Sequence, residues 1–363
     1  MWLPVLAASM SWAQTPPAPA PAPAPSVWSA GPIDFSGLVD VYYSKNLNNP
    51  ASRLNGLRNF DVKANQFSLN YAELVLEHAA DPVGFRVDFG FGRTAEMIHA
   101  FEPKGTPEVM RNIQQAYITL KPPKAKGFTV DLGKFVTSNG AEVIETHSNW
   151  NYSRSLLFSW AIPYYHFGVR TSVPMGSHFT GGVQLVNGWN NVEDTNSGKT
   201  LGLTGAFTSK KASWFHNYYT GPEKLDSNSG FRNLYDTTLL LTPTDQFNAY
   251  INFDYGVEGS GTRGSQDYIG VAVAARMAPV GWFALTPRIE YFKDKDGFAT
   301  GTAQKLNEFT LTAEFKMQEG FFTRAEYRRD WSDTPFFERG LGGLSKKQNT
   351  FLVGFVAYFG PKR

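Results

Sequence analysis

Between Ile33 and Phe359 the chain reads as strand-like runs joined by short and long connectors in strict turn. The short connectors are Ala79–Pro82, Lys121–Lys126, Pro174–Ser177, Ser209–Lys211, Pro243–Asp245, Ala278–Val280 and Gln318–Glu319. The long ones are Lys45–Ala64, Gly92–Arg111, Val136–Leu156, Asn187–Lys199, Gly221–Gly230, Gly256–Ser265, Asp294–Gln304 and Trp331–Lys347. A sheet that crosses a bilayer up and down has tight turns on its periplasmic side and larger loops outside. The pattern therefore predicts an all-β chain, a closed antiparallel up-and-down transmembrane β-barrel of about sixteen strands, with fourteen or eighteen as the alternatives.

Each run alternates with a period of two, so that one face is apolar and the other polar. In Val83–Phe91 the odd positions are Val83, Phe85, Val87, Phe89 and Phe91, and Arg86 and Asp88 share the other face with Gly84 and Gly90. Phe247–Gly256, Leu285–Phe292 and Phe309–Lys316 alternate in the same way. Sandwich strands also alternate, but they are short and pack their apolar face into a core. Here many runs reach the length a tilted strand needs to cross a hydrocarbon layer, and the polar face carries Arg, Asp, Glu, Lys, Asn and Gln. Tyr43, Phe91, Trp189, Trp282 and Phe359 fall near run ends, where aromatic girdles sit.

Composition narrows the rivals. Aromatic residues make up 15% and charged residues 18%, the reverse of a disordered chain. The longest apolar stretch, Ile269–Leu285, contains Arg276 and Pro279, which argues against a spanning helix. A net charge of +2 without basic runs leaves no nucleic-acid footprint. Cysteine is absent, which removes disulfides and thiolate chemistry together. A closed sheet of about sixteen strands holds an aqueous channel, so the expected partners are outer-membrane lipid and small hydrophilic solutes.

Residues 1–13 read as the remnant of a signal peptide, with the apolar Trp2–Ala8 and a small-x-small site at Ser11–Ala13 but no basic start. Residues 14–32 read as a Pro/Ala-rich periplasmic linker and 33–363 as the barrel.

One long connector differs in composition. From Lys134 to Arg170 the chain mixes apolar and polar residues, as a loop folded back into the lumen would. Its predicted constriction residues are Glu142, Glu145, His147, Asn149, Trp150, Asn151, Tyr152 and Arg154; the alternative is an outer loop packed on its neighbours. The predicted lumen lining is Arg86, Asp88, Asp131, Arg170, Arg276, Arg288, Glu290, Glu308, Glu314, Arg324, Glu326 and Arg328. Such groups either form opposed ladders with a transverse field or neutralise one another across strands.

The stretches AYITLKP at Ala116–Pro122, VDLGKF at Val130–Phe135, NGAEVIE at Asn139–Glu145, NWNYSRSLLF at Asn149–Phe158 and PYYHFGVR at Pro163–Arg170 together resemble the putative β-barrel porin-2 family, the OmpL-like porins. That resemblance implies a porin-like barrel in the outer membrane of a Gram-negative bacterium, with no solute attached to it. Analogy with general porins extends the expectation to a homotrimer. The last strand, unlike the common outer-membrane pattern, is followed by Gly360–Arg363.

Catalytic readings have little support. His78, His99, His147, His166, His178 and His216 have no metal-ligand spacing, and no cofactor or metal is expected. Gly259–Gly264 fits G-x-G-x-x-G but lies in a long connector with no helix after it. The expectation is a porin for passive diffusion and not an enzyme. The alternatives are an adhesin acting through its outer loops and, behind it, an outer-membrane hydrolase.

Overall fold

The computed structural model describes residues 28–102, 106–259 and 264–361. The proposed signal segment, most of the Pro/Ala-rich linker and the centre of Gly259–Gly264 lie outside the described residues. Sixteen long strands follow one another: β1 Ile33–Asn46, β2 Gln66–His78, β3 Val83–Phe91, β4 Ile113–Leu120, β5 Thr129–Val136, β6 Tyr165–Met175, β7 Phe179–Val186 and β8 Thr200–Thr208. The second half is β9 Ala212–Gly221, β10 Arg232–Thr244, β11 Phe247–Gly259, β12 Ser265–Val280, β13 Phe283–Asp294, β14 Gln304–Gln318, β15 Phe321–Ser332 and β16 Lys347–Phe359. Each pairs antiparallel with its sequence neighbour, and β16 pairs with β1 from Phe359↔Gly37 to Thr350↔Asn46, closing the sheet. Closure satisfies every ladder without leaving an edge in lipid.

The period-two reading holds in three dimensions. In β11 the even positions from Asn248 to Glu258 are buried inside the barrel. Phe247, Ile251 and Tyr255 are exposed on the outer face. Among the described residues no helix is long and apolar enough to cross a membrane.

The wall is uneven in height. Strands β3 to β9 have 8 to 11 residues, whereas β10 to β16 together with β1 and β2 have 12 to 16. A tilted strand needs about 9–11 residues to cross the hydrocarbon layer. The low arc meets that requirement barely, and β4, β5 and β7, at 8 residues each, fall short of it.

Several boundaries move. The third long connector runs to Tyr164 rather than ending at Leu156, because it contains a short helix, α1, Leu156–Trp160. The Ser155 side chain caps that helix by accepting a hydrogen bond from Phe158 N at 2.9 Å. Strand β12 continues through Ala278 and Pro279 to Val280, so the turn is at Gly281 and Trp282 instead of Ala278–Val280. Trp189 is no girdle residue: it sits in an outer loop with the Arg232 guanidinium over its ring at 4.8 Å.

Candidate functional site

The segment from Thr137 to Tyr164, between β5 and β6, folds into the barrel and binds the inner wall on nearly every side. Gly140, at φ +85°, starts the inward turn, and its amide donates to Asp236 of β10 at 3.0 Å. Ser138 meets Asn217 and Tyr219 of β9, each at 3.1 Å. Trp150 packs on Tyr250 of β11, with ring centroids 5.3 Å apart. Tyr152 reaches the opposite side, where its hydroxyl donates to Asp40 of β1 at 2.5 Å.

Strands β13 to β15 supply the strongest clamp. Arg288 donates to Ser153 O at 2.8 Å and to Glu142 at 2.6 Å. Arg324 donates to the carbonyls of Thr146 at 2.9 Å and Asn151 at 3.1 Å, and also to that of Asn149. Arg328 donates to Arg154 O at 2.5 Å. Glu326 accepts the amides of Tyr152 and Ser153 at 2.7 and 3.0 Å, and Glu290 accepts that of Leu156 at 2.8 Å. Ionised groups make the stronger hydrogen bonds, and a low-dielectric interior strengthens them further. Guanidinium groups on the wall thus take the loop's carbonyls while wall carboxylates take its amides.

Arg154 ties the loop to itself. It is buried and donates to the carbonyls of Val143 at 2.8 Å and of Tyr152 and Ile144, each at 2.5 Å. Asn149 closes the same turn on Val143 O at 2.8 Å and Glu145 O at 2.9 Å, and Asn151 bonds Thr312 at 2.7 Å. His147 stacks on Tyr358 at 5.0 Å, and burial, with Arg324 and Arg154 near, lowers its pKa to about 4. Two wall glycines make room for the loop: a Cβ at Gly354 would meet the Tyr152 ring at 2.3 Å, and one at Gly270 would meet Leu157 at 2.7 Å.

The twelve residues expected to line open water do not all do so. Arg288, Arg324, Arg328, Glu290 and Glu308 have side chains no more than 2% exposed, because the loop lies on them. They are also paired: Arg288 with Glu308 at 3.2 Å, and Arg324 with Glu314 at 2.6 Å. Arg276 reaches the same Glu314 at 2.9 Å from two strands away. Arg86 with Asp88 and Arg170 with Asp131, each at 2.8 Å, form separate pairs on β3 and on β5 and β6. Basic and acidic groups therefore alternate around the wall instead of forming opposed ladders.

An arc of wall stays clear of this network. Between the loop and strands β7 to β9 lies a cleft, partly open to solvent, lined by Val143 and Glu145 on the loop and by Thr180, Thr204, Ala206 and Phe215 on the wall. The inward positions of β7 and β8 are small or uncharged, Gly182, Gln184, Thr200 and Gly202 among them. Only glycine fits at position 182, where a Cβ would meet Thr171 O at 2.3 Å.

A second in-folded connector was missed by the sequence reading. Residues 47–65 place Arg58 against Asp61 and Asp330, each at 2.6 Å, with all three side chains buried. Asn59 bonds Ser159 O and the Tyr164 hydroxyl at 2.9 and 2.8 Å, and Phe60 packs on Phe158 at 5.5 Å. The signal available was small: Leu54, Leu57 and Phe60, apolar residues three apart in a loop rich in Asn and charged residues.

A family model described as putative beta-barrel porin-2, OmpL-like, matches residues 32–359. No curated protein matches the chain. Among solved structures, the in-vitro folded trimer form of OmpT, an outer membrane protein of Vibrio cholerae, is 14% identical, with a TM-score of 0.60, covering 91% of this chain and 100% of its own. The outer membrane channel DcaP of Acinetobacter baumannii is 12% identical, with a TM-score of 0.60, covering 90% and 97%. An anion-selective porin from Comamonas acidovorans is 10% identical, with a TM-score of 0.61, covering 90% and 99%. At these identities the likeness is one of fold.

Proposed function

The chain belongs to the putative β-barrel porin-2, OmpL-like family of outer-membrane porins, and from that premise we propose that small hydrophilic solutes diffuse passively along the uncharged arc between β7 and β9. The observation that carries this reading is the cleft on that arc, beside a loop fixed to the remainder of the wall. In this reading residues Glu142 to Arg154 set the diameter of the passage, with Glu145 facing it, and the wall arginines hold the loop rather than the solute. The chain acts by passage and not by catalysis.

The low arc supports assembly as a trimer. Three strands of 8 residues leave the lipid-facing band short of the hydrocarbon thickness, a mismatch that contact with another copy relieves. The trimer form named for OmpT belongs to that protein and supports the same reading by analogy. In the same reading residues 1–13 serve as a leader and 14–32 as a periplasmic spacer, whose last residues rest on the barrel: Trp28 packs on Phe359 at 4.9 Å, and Ser29–Ala30 pair with Ile33–Asp34.

Recording purified protein in planar bilayers tests channel and trimer together. Insertions should conduct in steps that close through three equal sublevels. Heat-modifiable, folded protein that gives no steps would refute the channel, whereas steps without sublevels would refute the trimer alone.

A further inference from the structure

Basic residues collect on the outward face of the high arc, at its outer end. Lys293 on β13 and Lys305 on β14 are direct register partners and share that face. Arg329 on β15 and Lys347 on β16 continue the row, and Lys45 on β1 ends it. Lys305, Arg329 and Lys347 are exposed, and Lys293 and Lys45 are half-buried. Among the described residues, no carboxylate lies at ion-pair distance from Lys293, Lys305, Arg329 or Lys347.

Two features make this row more than a solvated edge. Like charges directly opposite on neighbouring strands repel, so the Lys293 and Lys305 pair weakens the ladder unless an anion lies between them. The row also borders an apolar face: Ile289, Tyr291, Tyr327, Trp331 and Phe351 lie on the same outward side, and Arg329 stands over the Trp331 ring at 5.6 Å. That is the headgroup level of the leaflet on the side of the long loops. The low arc has nothing comparable: its outward residues at the same end include Leu185, Leu201 and Thr220.

We propose that Lys293, Lys305, Arg329 and Lys347 form a docking surface for the phosphates of an outer-leaflet glycolipid carrying more than one phosphate. Several phosphates on one headgroup satisfy several cations at once, which a single-phosphate lipid does not. Each lysine supplies up to three donors and the guanidinium a planar fork, so adjacent phosphate oxygens find partners along the row. The acyl chains of such a lipid would lie on the apolar face directly beneath. This surface is on the outside of the barrel and is independent of solute passage.

The test titrates the purified full chain in detergent with bisphosphorylated lipid A, with monophosphorylated lipid A and with phosphatidylglycerol, following the thermal unfolding midpoint and bound lipid by native mass spectrometry. Bisphosphorylated lipid should bind most tightly and raise the midpoint most. The K293Q/K305Q/K347Q variant should bind it at least about tenfold more weakly. Without lipid, its midpoint should be no lower than that of the parent, because the repulsion is gone; this separates lost binding from lost folding. K210Q/K211Q, at the opposite end of the barrel, should bind like the parent. Equal affinity of the triple variant and the parent, or equal response to phosphatidylglycerol and bisphosphorylated lipid, would overturn the proposal.

Discussion

Two arcs of one wall treat their lumen side in opposite ways. On β13 to β15 the inward positions carry Arg288, Glu290, Glu308, Glu314, Arg324, Glu326 and Arg328, and the in-folded loop covers most of them. On β7 to β9 they carry Thr, Gly, Gln, Ala, Phe and Asn, and the loop leaves space. The charged arc fixes the loop through many ionised groups, whereas the uncharged one holds it through Ser138, bonded to Asn217, Tyr219 and Gln184. A backbone segment crossing a barrel brings many unpaired carbonyls and amides, and buried polar groups left unpaired are costly. An alternating wall of guanidinium and carboxylate groups satisfies both kinds.

The largest effect that would break this contrast is expected from Arg288→Ala. It leaves Glu142 and Glu290 without their guanidinium, a loss of about 3–5 kcal/mol for a broken buried pair. Denaturant midpoints and single-channel recordings should report lower stability together with larger, noisier steps as the loop loosens. A stable variant with unchanged conductance would mean that the charged arc does not hold the loop.

Filling the open arc should act in the reverse direction. Thr204→Trp places a large ring in the cleft without touching the clamp and should cut unitary conductance by about half or more, with little change in stability. Unaltered conductance would move the path to another part of the lumen.

The smallest effect concerns the outer end of the open arc. Glu223, in the connector after β9, accepts Trp189 N at 2.9 Å and Thr200 Oγ1 at 2.6 Å, so it joins two outer connectors. Burial lifts its carboxyl from 4.5 to about 7, against the pull of Arg232. The folded chain thus holds a proton between those values that the unfolded chain releases. Stability falls as pH rises from about 4.5 to about 7 and levels off above. Thermal midpoints of Glu223→Gln should lack that slope; an identical pH profile in both proteins would show that the carboxyl is not responsible.

Much of the barrel was legible because its causes are local. Strand β3 was read at Val83–Phe91 and found there, since alternation and flanking turns depend on neighbouring residues alone. The inward turn of the third connector was legible from its mixed composition. Its true end at Tyr164 was not, because Leu156–Trp160 looks like the start of a strand until Ser155 caps it as a helix. Arg288 and Arg324 lie on the inner face that alternation gives them, but their partners in the loop are 135 to 178 residues away in sequence.

By itself the sequence determined that the chain crosses about sixteen times, the face each strand residue takes and the alternation of short and long connectors, since period and turn chemistry carry all three. Only the tertiary structure decided that the first connector joins the third inside the barrel, and that the charges of β13 to β15 are spent on the loop's backbone and on one another. These depend on which strands the closure of the sheet brings face to face, and pairings across a lumen leave no period in the chain.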